Sequence, residues 1–254
     1  MTSPIGSADR ILAILDLFSE LRPVWTTAEL LAELGYTRPT LYRYLKTLKE
    51  TGFLSTQPGR GVTLGPRVVE MDYLMRRADP LVQLGQPHLG RLSKAYPGTA
   101  FIVRWYRNKI LCVASSCTAP DSVTSYPRGR PMPLGKGAVT RVILANLPRQ
   151  RQLPLIRENL QLLRETSLGN SIEDILENLR TIRRDGVAQA EGEVTPGVVG
   201  LAAPVMADGP EPTAALCFTV NDDFAASSLV GQIRNEVRIA AIQLSSELTD
   251  SSRD

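Results

Sequence analysis

Between Thr26 and Thr51 the apolar positions fall into two short helical stripes with a glycine between them. Ala28, Leu30, Leu31 and Leu34 mark the first helix, Thr27 to Leu34. Gly35 ends it, as a residue free to take a positive φ. Thr37 stands where an N-cap belongs. Pro39 falls in the first turn of the next helix, where its missing N–H costs nothing. Leu41, Leu45 and Leu48 then recur at i, i+4 and i+7, one buried stripe of a second helix. Arg38, Arg43, Lys46 and Lys49 lie off that stripe, with no acid before Glu50. A helix, a glycine turn and a helix with a basic outer side make the helix-turn-helix pattern.

The flanking pattern extends this unit. Ser7 to Leu21 reads as a helix capped by Ser7, with Ile11, Leu12, Leu15 and Phe18 apolar and Pro23 ending it. Val24 and Trp25 suit a single strand step. Phe53 to Gln57 and Val62 to Leu64 alternate around Pro58-Gly59-Arg60-Gly61, which predicts a β-hairpin, a wing directly after the second helix. Leu64-Gly65-Pro66 breaks the chain. Arg67 to Arg77 predicts a linker helix with Val68, Val69, Met71, Leu74 and Met75 apolar, ended by Asp79-Pro80.

Beyond that break the pattern is mixed. Leu81 to Tyr96 predicts a helix ended by Pro97-Gly98. Ala100 to Trp105 and Ile110 to Ser115 predict antiparallel strands around an Arg107-Asn108-Lys109 turn. Ser116 to Pro133 is polar and rich in proline and glycine, a loop. Helices are expected over Gly137 to Ala145, within Arg149 to Arg164, and over Ile172 to Arg184, where Ser171 and Asp174 form a capping box. Val187 to Glu193, Val199 to Met206 and Thr213 to Val220 predict three strands. Ala225 to Leu248 predicts a long last helix, with Thr249 to Asp254 frayed.

Charge and composition narrow the chemistry. The net charge is only +3, so a nucleic-acid surface must be localised. Cys112, Cys117 and Cys217 form no CxxC and no metal cluster with the single His88, and read as reduced thiols. With no apolar signal core and no run long enough to span a bilayer, a soluble cytoplasmic protein without membrane contact is expected. DNA is a dense line of negative charge, and Lys and Arg gain affinity by displacing its counterions. The start of the second helix enters the major groove in this motif, where Arg reads guanine and Thr or Tyr reaches phosphate or a thymine methyl. The candidate contacts to double-stranded DNA are Thr27, Arg38, Pro39, Thr40, Tyr42, Arg43, Lys46 and, at the wing tip, Arg60.

Two other chemistries fit poorly. Gly129 to Gly137 resembles a phosphate loop, but its spacing is one residue too long and Gly137 replaces the magnesium-binding hydroxyl. His88 has no nucleophile motif around it. Glu191 and Glu193 would share one strand face, a carboxylate pair without metal ligands. A winged helix serving only protein contacts would carry an apolar rather than a basic face.

These elements together resemble the IclR family of bacterial transcriptional regulators, from about Ser7 to about Val220. The likeness lies in Ser7 to Arg10, Ala28-Glu29-Leu30, Leu34-Gly35-Tyr36, Pro39-Thr40, Arg43, Leu45, Leu48 and Glu50-x-Gly52-Phe53-Leu54. The wing ending in Leu64-Gly65 matches too. A distal signature appears as Glu193, Gly197 and Gly200-Leu201-Ala202-Ala203-Pro204-Val205. The resemblance implies an α+β protein. A winged helix-turn-helix over 1–65 and a linker helix over 66–79 would precede a GAF-like effector-binding domain over 80–254, with an antiparallel sheet flanked by helices. It implies no cofactor and no enzymatic activity. It implies dimers or dimers of dimers on palindromic operators, repressing more often than activating, with a small metabolite shifting DNA binding.

The same resemblance places the effector near Phe101, Trp105, Met132, Leu134, Ala138, Val139, Ala190, Val198, Gly200, Cys217 and Thr219. Departures from the family pattern concentrate there. Gly135 replaces a His, Thr140-Arg141 a Gly-Lys pair, Gly200 a Cys, Ala190 an Asp found in some members, and Cys217-x-Thr219 a Ser-x-Ser. Pro39 replaces a Ser of the reading helix. Lost hydrogen-bonding groups make room and favour a more apolar ligand. A small aromatic acid is expected, with Arg128 or Arg130 as the partner of its carboxylate.

Overall fold

The computed structural model describes residues 6–106, 109–118, 127–207, 209–224 and 228–253, without the side chains of Pro131, Met132 and Pro133. The chain packs as two units, Met1–Ala78 and Asp79–Asp254.

In the first unit, α1 (Ser7–Asp16), α2 (Thr27–Leu34) and α3 (Arg38–Glu50) precede a hairpin of β1 (Leu54–Gln57) and β2 (Gly61–Leu64), then α4 (Arg67–Ala78). The core joins Ile14, Trp25, Leu30, Leu41, Tyr44, Leu45, Leu48, Leu54 and Val62. The α3 stripe is therefore buried as the spacing requires, and Tyr44 adds a ring to it. Thr26 starts α2 by accepting the Glu29 N–H, while the Glu29 carboxylate accepts the Thr26 N–H at 2.7 Å. Gly35 stops the helix at φ 64°.

Two expectations about α1 need correction. The helix ends at Asp16 rather than Leu21, because the Leu17 carbonyl accepts the Trp25 indole N–H at 3.2 Å and the chain then turns through Ser19 to Arg22. Its N-cap is Gly6, not Ser7; Asp9 receives the Gly6 N–H. Thr37 does sit at the N-cap of α3, but its hydroxyl meets Thr40 instead of the backbone. The strand step at Trp25 forms a bridge with Val62.

The second unit is a six-stranded sheet ordered β5-β4-β3-β8-β7-β6, with every neighbouring pair antiparallel. These strands are β3 (Thr99–Tyr106), β4 (Lys109–Cys117), β5 (Pro131–Pro133), β6 (Ala188–Glu191), β7 (Val198–Met206) and β8 (Pro212–Asn221). Alternate residues face opposite sides. Phe101, Val103, Ala215 and Cys217 enter one core with α6 (Gly137–Asn146), α7 (Arg149–Glu158), α8 (Leu160–Arg164) and α9 (Ile172–Asp185). Ala100, Ile102, Leu216 and Phe218 enter the other with α5 (Pro80–Ala95) and α10 (Ser228–Ser251). Helices thus cover both faces, which is why the central strands read as nearly continuous apolar runs.

Other sequence expectations also shift. The loop expected over Ser116 to Pro133 contributes β5, a short strand on the β4 edge. The last helix runs on to Ser251 instead of fraying after Leu248, with Thr249 donating its hydroxyl to the Ser245 carbonyl. The expected Arg107-Asn108 turn and the expected start of the last helix at Ala225 lie outside the described residues. β6 is shorter than expected: it stops at Glu191, so Glu193 leaves the sheet and no carboxylate pair forms on one strand face.

Candidate nucleic-acid interface and ligand cavity

Burying Leu41, Tyr44, Leu45 and Leu48 fixes what the other side of α3 shows. Arg38, Pro39, Tyr42, Arg43, Lys46 and Lys49 are all exposed, and Thr40 is half-buried. Tyr42 shows 59% of its surface, high for an aromatic ring. The Arg43 guanidinium stands 5.4 Å from the Tyr44 ring centroid, so a core residue steers a basic one. Lys46 lies 3.8 Å from Glu50, which takes up part of its charge. Thr27 is the first residue of α2, half-buried beside its cap.

Arg60 is exposed at the hairpin tip. The turn is anchored at its far end: Gly61 has φ 127°, and a Cβ there would stand 2.4 Å from the Trp25 carbonyl oxygen. That approach lets Trp25 and Val62 exchange both backbone hydrogen bonds, at 2.9 and 2.7 Å, and ties the wing to the entry of α2.

A small cavity of about 30 Å3, opening to solvent, lies in the second unit between β3, α6, β6, β7, β8 and the 192–197 loop. It brings together Phe101, Ala138, Val139, Ala190, Val198, Gly200 and Thr219 of the sequence candidates. Trp105, Leu134 and Cys217 are not among its described lining residues; they pack in or against the adjoining core. The Met132 side chain lies outside the described residues. Arg128 and Arg130 are not among the described lining either.

The glycine replacements act differently from one another. An added Cβ at Gly200 would meet only the Ala190 oxygen at 3.8 Å and the Ala138 Cβ at 3.9 Å, so the missing side chain leaves its space to the cavity. At Gly135 a Cβ would lie 2.1 Å from a Leu162 methyl. There the room is already filled by Leu162, a correction to the expectation that this loss opens the pocket.

The polar groups are few and tightly arranged. Among the described residues the buried Thr219 hydroxyl has no hydrogen-bond partner, the condition in which a polar atom gains most from a ligand. Glu193 also lines the cavity. Its carboxylate accepts the Gly137 N–H at 2.9 Å, the Ser167 N–H at 3.2 Å and the Ser167 hydroxyl at 3.3 Å, and pairs with Arg141. Arg141 donates further to the Gln189 carbonyl and to Ser167, both at 2.9 Å. Burial pushes the Arg141 pKa down and Glu193 opposes that shift. Gly137, Glu193, Val194, Thr195 and Leu201 were missed as lining residues. The signal was Gly192, which the alternation pattern absorbed together with Glu193 into a strand that in fact stops at Glu191.

The chain matches the IclR helix-turn-helix domain over residues 7–58. It matches the C-terminal domain of the bacterial transcriptional regulator IclR over residues 73–246. It is 28% identical over 205 residues to the Probable HTH-type transcriptional regulator ArcR of Halobacterium salinarum, covering 79% of this chain and 77% of that protein. Its fold resembles an IclR transcriptional regulator from Alicyclobacillus acidocaldarius at a TM-score of 0.80, with 22% identity, covering 96% of this chain and 99% of the other. It also resembles an IclR homolog from Microbacterium hydrocarbonoxydans complexed with 4-hydroxybenzoate. There the TM-score is 0.77 and the identity 19%, covering 96% of this chain and 99% of that one.

Proposed function

This chain belongs to the IclR family of bacterial transcriptional regulators, and from that premise we propose a ligand-responsive repressor that grips a palindromic operator as a homodimer or dimer of dimers. Residues 1–65 serve as the reading head, 66–79 as the linker and 80–254 as the cytoplasmic sensor. The observation that carries this reading is the exposed α3 face: Arg38, Arg43, Lys46 and Lys49 beside a hairpin whose tip bears Arg60. Arg38, Thr40, Tyr42 and Arg43 read base edges, while Thr27, Lys46 and Arg60 hold phosphate. Pro39 starts the helix rigidly and gives up the hydroxyl of a family Ser.

Two reading heads must stand about one DNA turn, or a multiple of it, apart. The exposed Val69, Met71, Leu74 and Met75 of α4 supply apolar surface for pairing two copies. The effector is a small aromatic acid in the cavity beneath the 192–197 loop. Its apolar walls and the 4-hydroxybenzoate held by one structural relative support that reading. The ligand represses or releases only by favouring one spacing of the heads over another.

Fluorescence anisotropy with the DNA upstream of the protein's own gene tests the reading. Wild type should bind with a steep salt dependence. Arg43→Ala should cost about 1–3 kcal/mol and relax base preference. Binding indifferent to sequence and to Arg43 would overturn it.

A further inference from the structure

Glu193 sits where a ligand's acid group would be expected. The buried Gly137 N–H opens α6, and a backbone donor left without a helical partner at a helix start favours an anion. Here the anion is the protein's own. Arg141, with its side chain only 10% exposed, has Glu193 as its charge partner. Removing that carboxylate alone would leave a buried cation unpaired, which is strongly unfavourable. Another carboxylate could replace it without changing the buried charge; a neutral molecule could not.

The segment carrying Glu193 is held at its ends, where Gly192 donates its N–H to the Val198 carbonyl and the Gly197 carbonyl accepts the Asp222 N–H, both at 2.9 Å, and in between by the Glu193 carboxylate. Residues 192–197 lie between β6 and β7, outside the sheet ladder. Gly192 and Gly197 flank the segment at φ 64° and 76°, and an added Cβ at Gly192 would meet nothing within 4 Å. Val194, between those ends, is 41% exposed. Beneath it, the unpartnered Thr219 hydroxyl independently marks the cavity as a ligand seat.

We propose that Glu193 is a resident stand-in for the effector's carboxylate: an acidic effector displaces it, pairs with Arg141 and Gly137, and frees the 192–197 loop. This rests on the effector being an acid that enters this cavity. The freed loop is the ligand-dependent change that the sensor has to transmit, and Glu193 sets the charge selectivity of the site.

The full-length protein would be studied by calorimetry and amide hydrogen exchange with 4-hydroxybenzoate, pyruvate and neutral 4-hydroxybenzyl alcohol. In wild type, an acid should raise exchange in 192–197, and the alcohol should not. In Glu193→Gln, exchange there should be raised without ligand. That variant should bind the same acid about tenfold tighter, with the alcohol little changed, since a like charge has gone. Loop release by pyruvate but not by 4-hydroxybenzoate would keep the exchange of carboxylates and sink the aromatic-acid reading. Acid binding that leaves 192–197 protected, no gain in Glu193→Gln, or no release by either acid would overturn the proposal. Should Glu193→Gln fail to fold, wild-type exchange with and without the acids decides.

Discussion

Glu29 shows how much one exposed side chain can be asked to do. It receives the Thr26 N–H and the Thr26 hydroxyl, and it pairs with Arg22 at 2.8 Å. The Thr26 N–H, first among these donors, holds its pKa below the ordinary 4.5. A folded-state pKa below the unfolded value means stability that is complete above the ordinary range and lost as pH falls through the folded value. Glu29→Gln should therefore lower the melting temperature at neutral pH. The difference from wild type should close as a thermal series is carried below pH 4.5. The thiols give a second residue-level outcome. Burial pushes Cys112 to about 11 and Cys217 well above its ordinary value, while Cys117 is exposed. A thiolate is the reactive form. Iodoacetamide at neutral pH should thus label Cys117 in the native protein, with Cys112 and Cys217 reacting only on unfolding, as peptide mass spectrometry would show.

At the scale of elements, the local rules that are strongest in a sequence were the ones most readable. The bounds of α2 and the α3 stripe follow from short apolar spacing, a glycine stop and the i, i+4, i+7 repeat, all contained in a few adjacent residues. The end of α1 was not readable, because the Trp25 indole that takes the Leu17 carbonyl arrives from another element. Glu193 was placed in a strand for the same kind of reason. Its true partners, Gly137, Ser167 and Arg141, come from segments far off in the chain, and alternation cannot register them. Cavity positions inherited from the family pattern landed where a strand fixed their side, as at Ala190 and Thr219. Cys217 and Thr219 lie two apart and are both buried, yet only Thr219 reaches the lining. The α4 helix presents the opposite case, an apolar pattern without a core. None of its residues is buried, and Val69 shows 72% of its surface. If this surface pairs two copies, Val69→Glu with Leu74→Glu should shift the protein towards monomer in sedimentation velocity. Operator affinity should fall with it, while the far-ultraviolet dichroism stays unchanged.

For the whole molecule, fold class was legible and strand order was not. The mixed helix-and-strand pattern announced the second half's class and the family resemblance added a sheet flanked by helices, but pairing depends on which strands meet after long excursions of chain. β3 lies between β4, its neighbour in sequence, and β8, which begins only at Pro212. Separating these partners are α6 to α9 and three other strands. Such long-range pairings close slowly, and a chain made from its N-terminus folds its early units first. The first unit has every segment it needs by Ala78. A ribosome making this protein therefore releases a DNA-reading unit able to fold long before the sheet beneath the sensor can gain its central neighbour. A message cut short ahead of codon 212 encodes a reading head with no finished control over it.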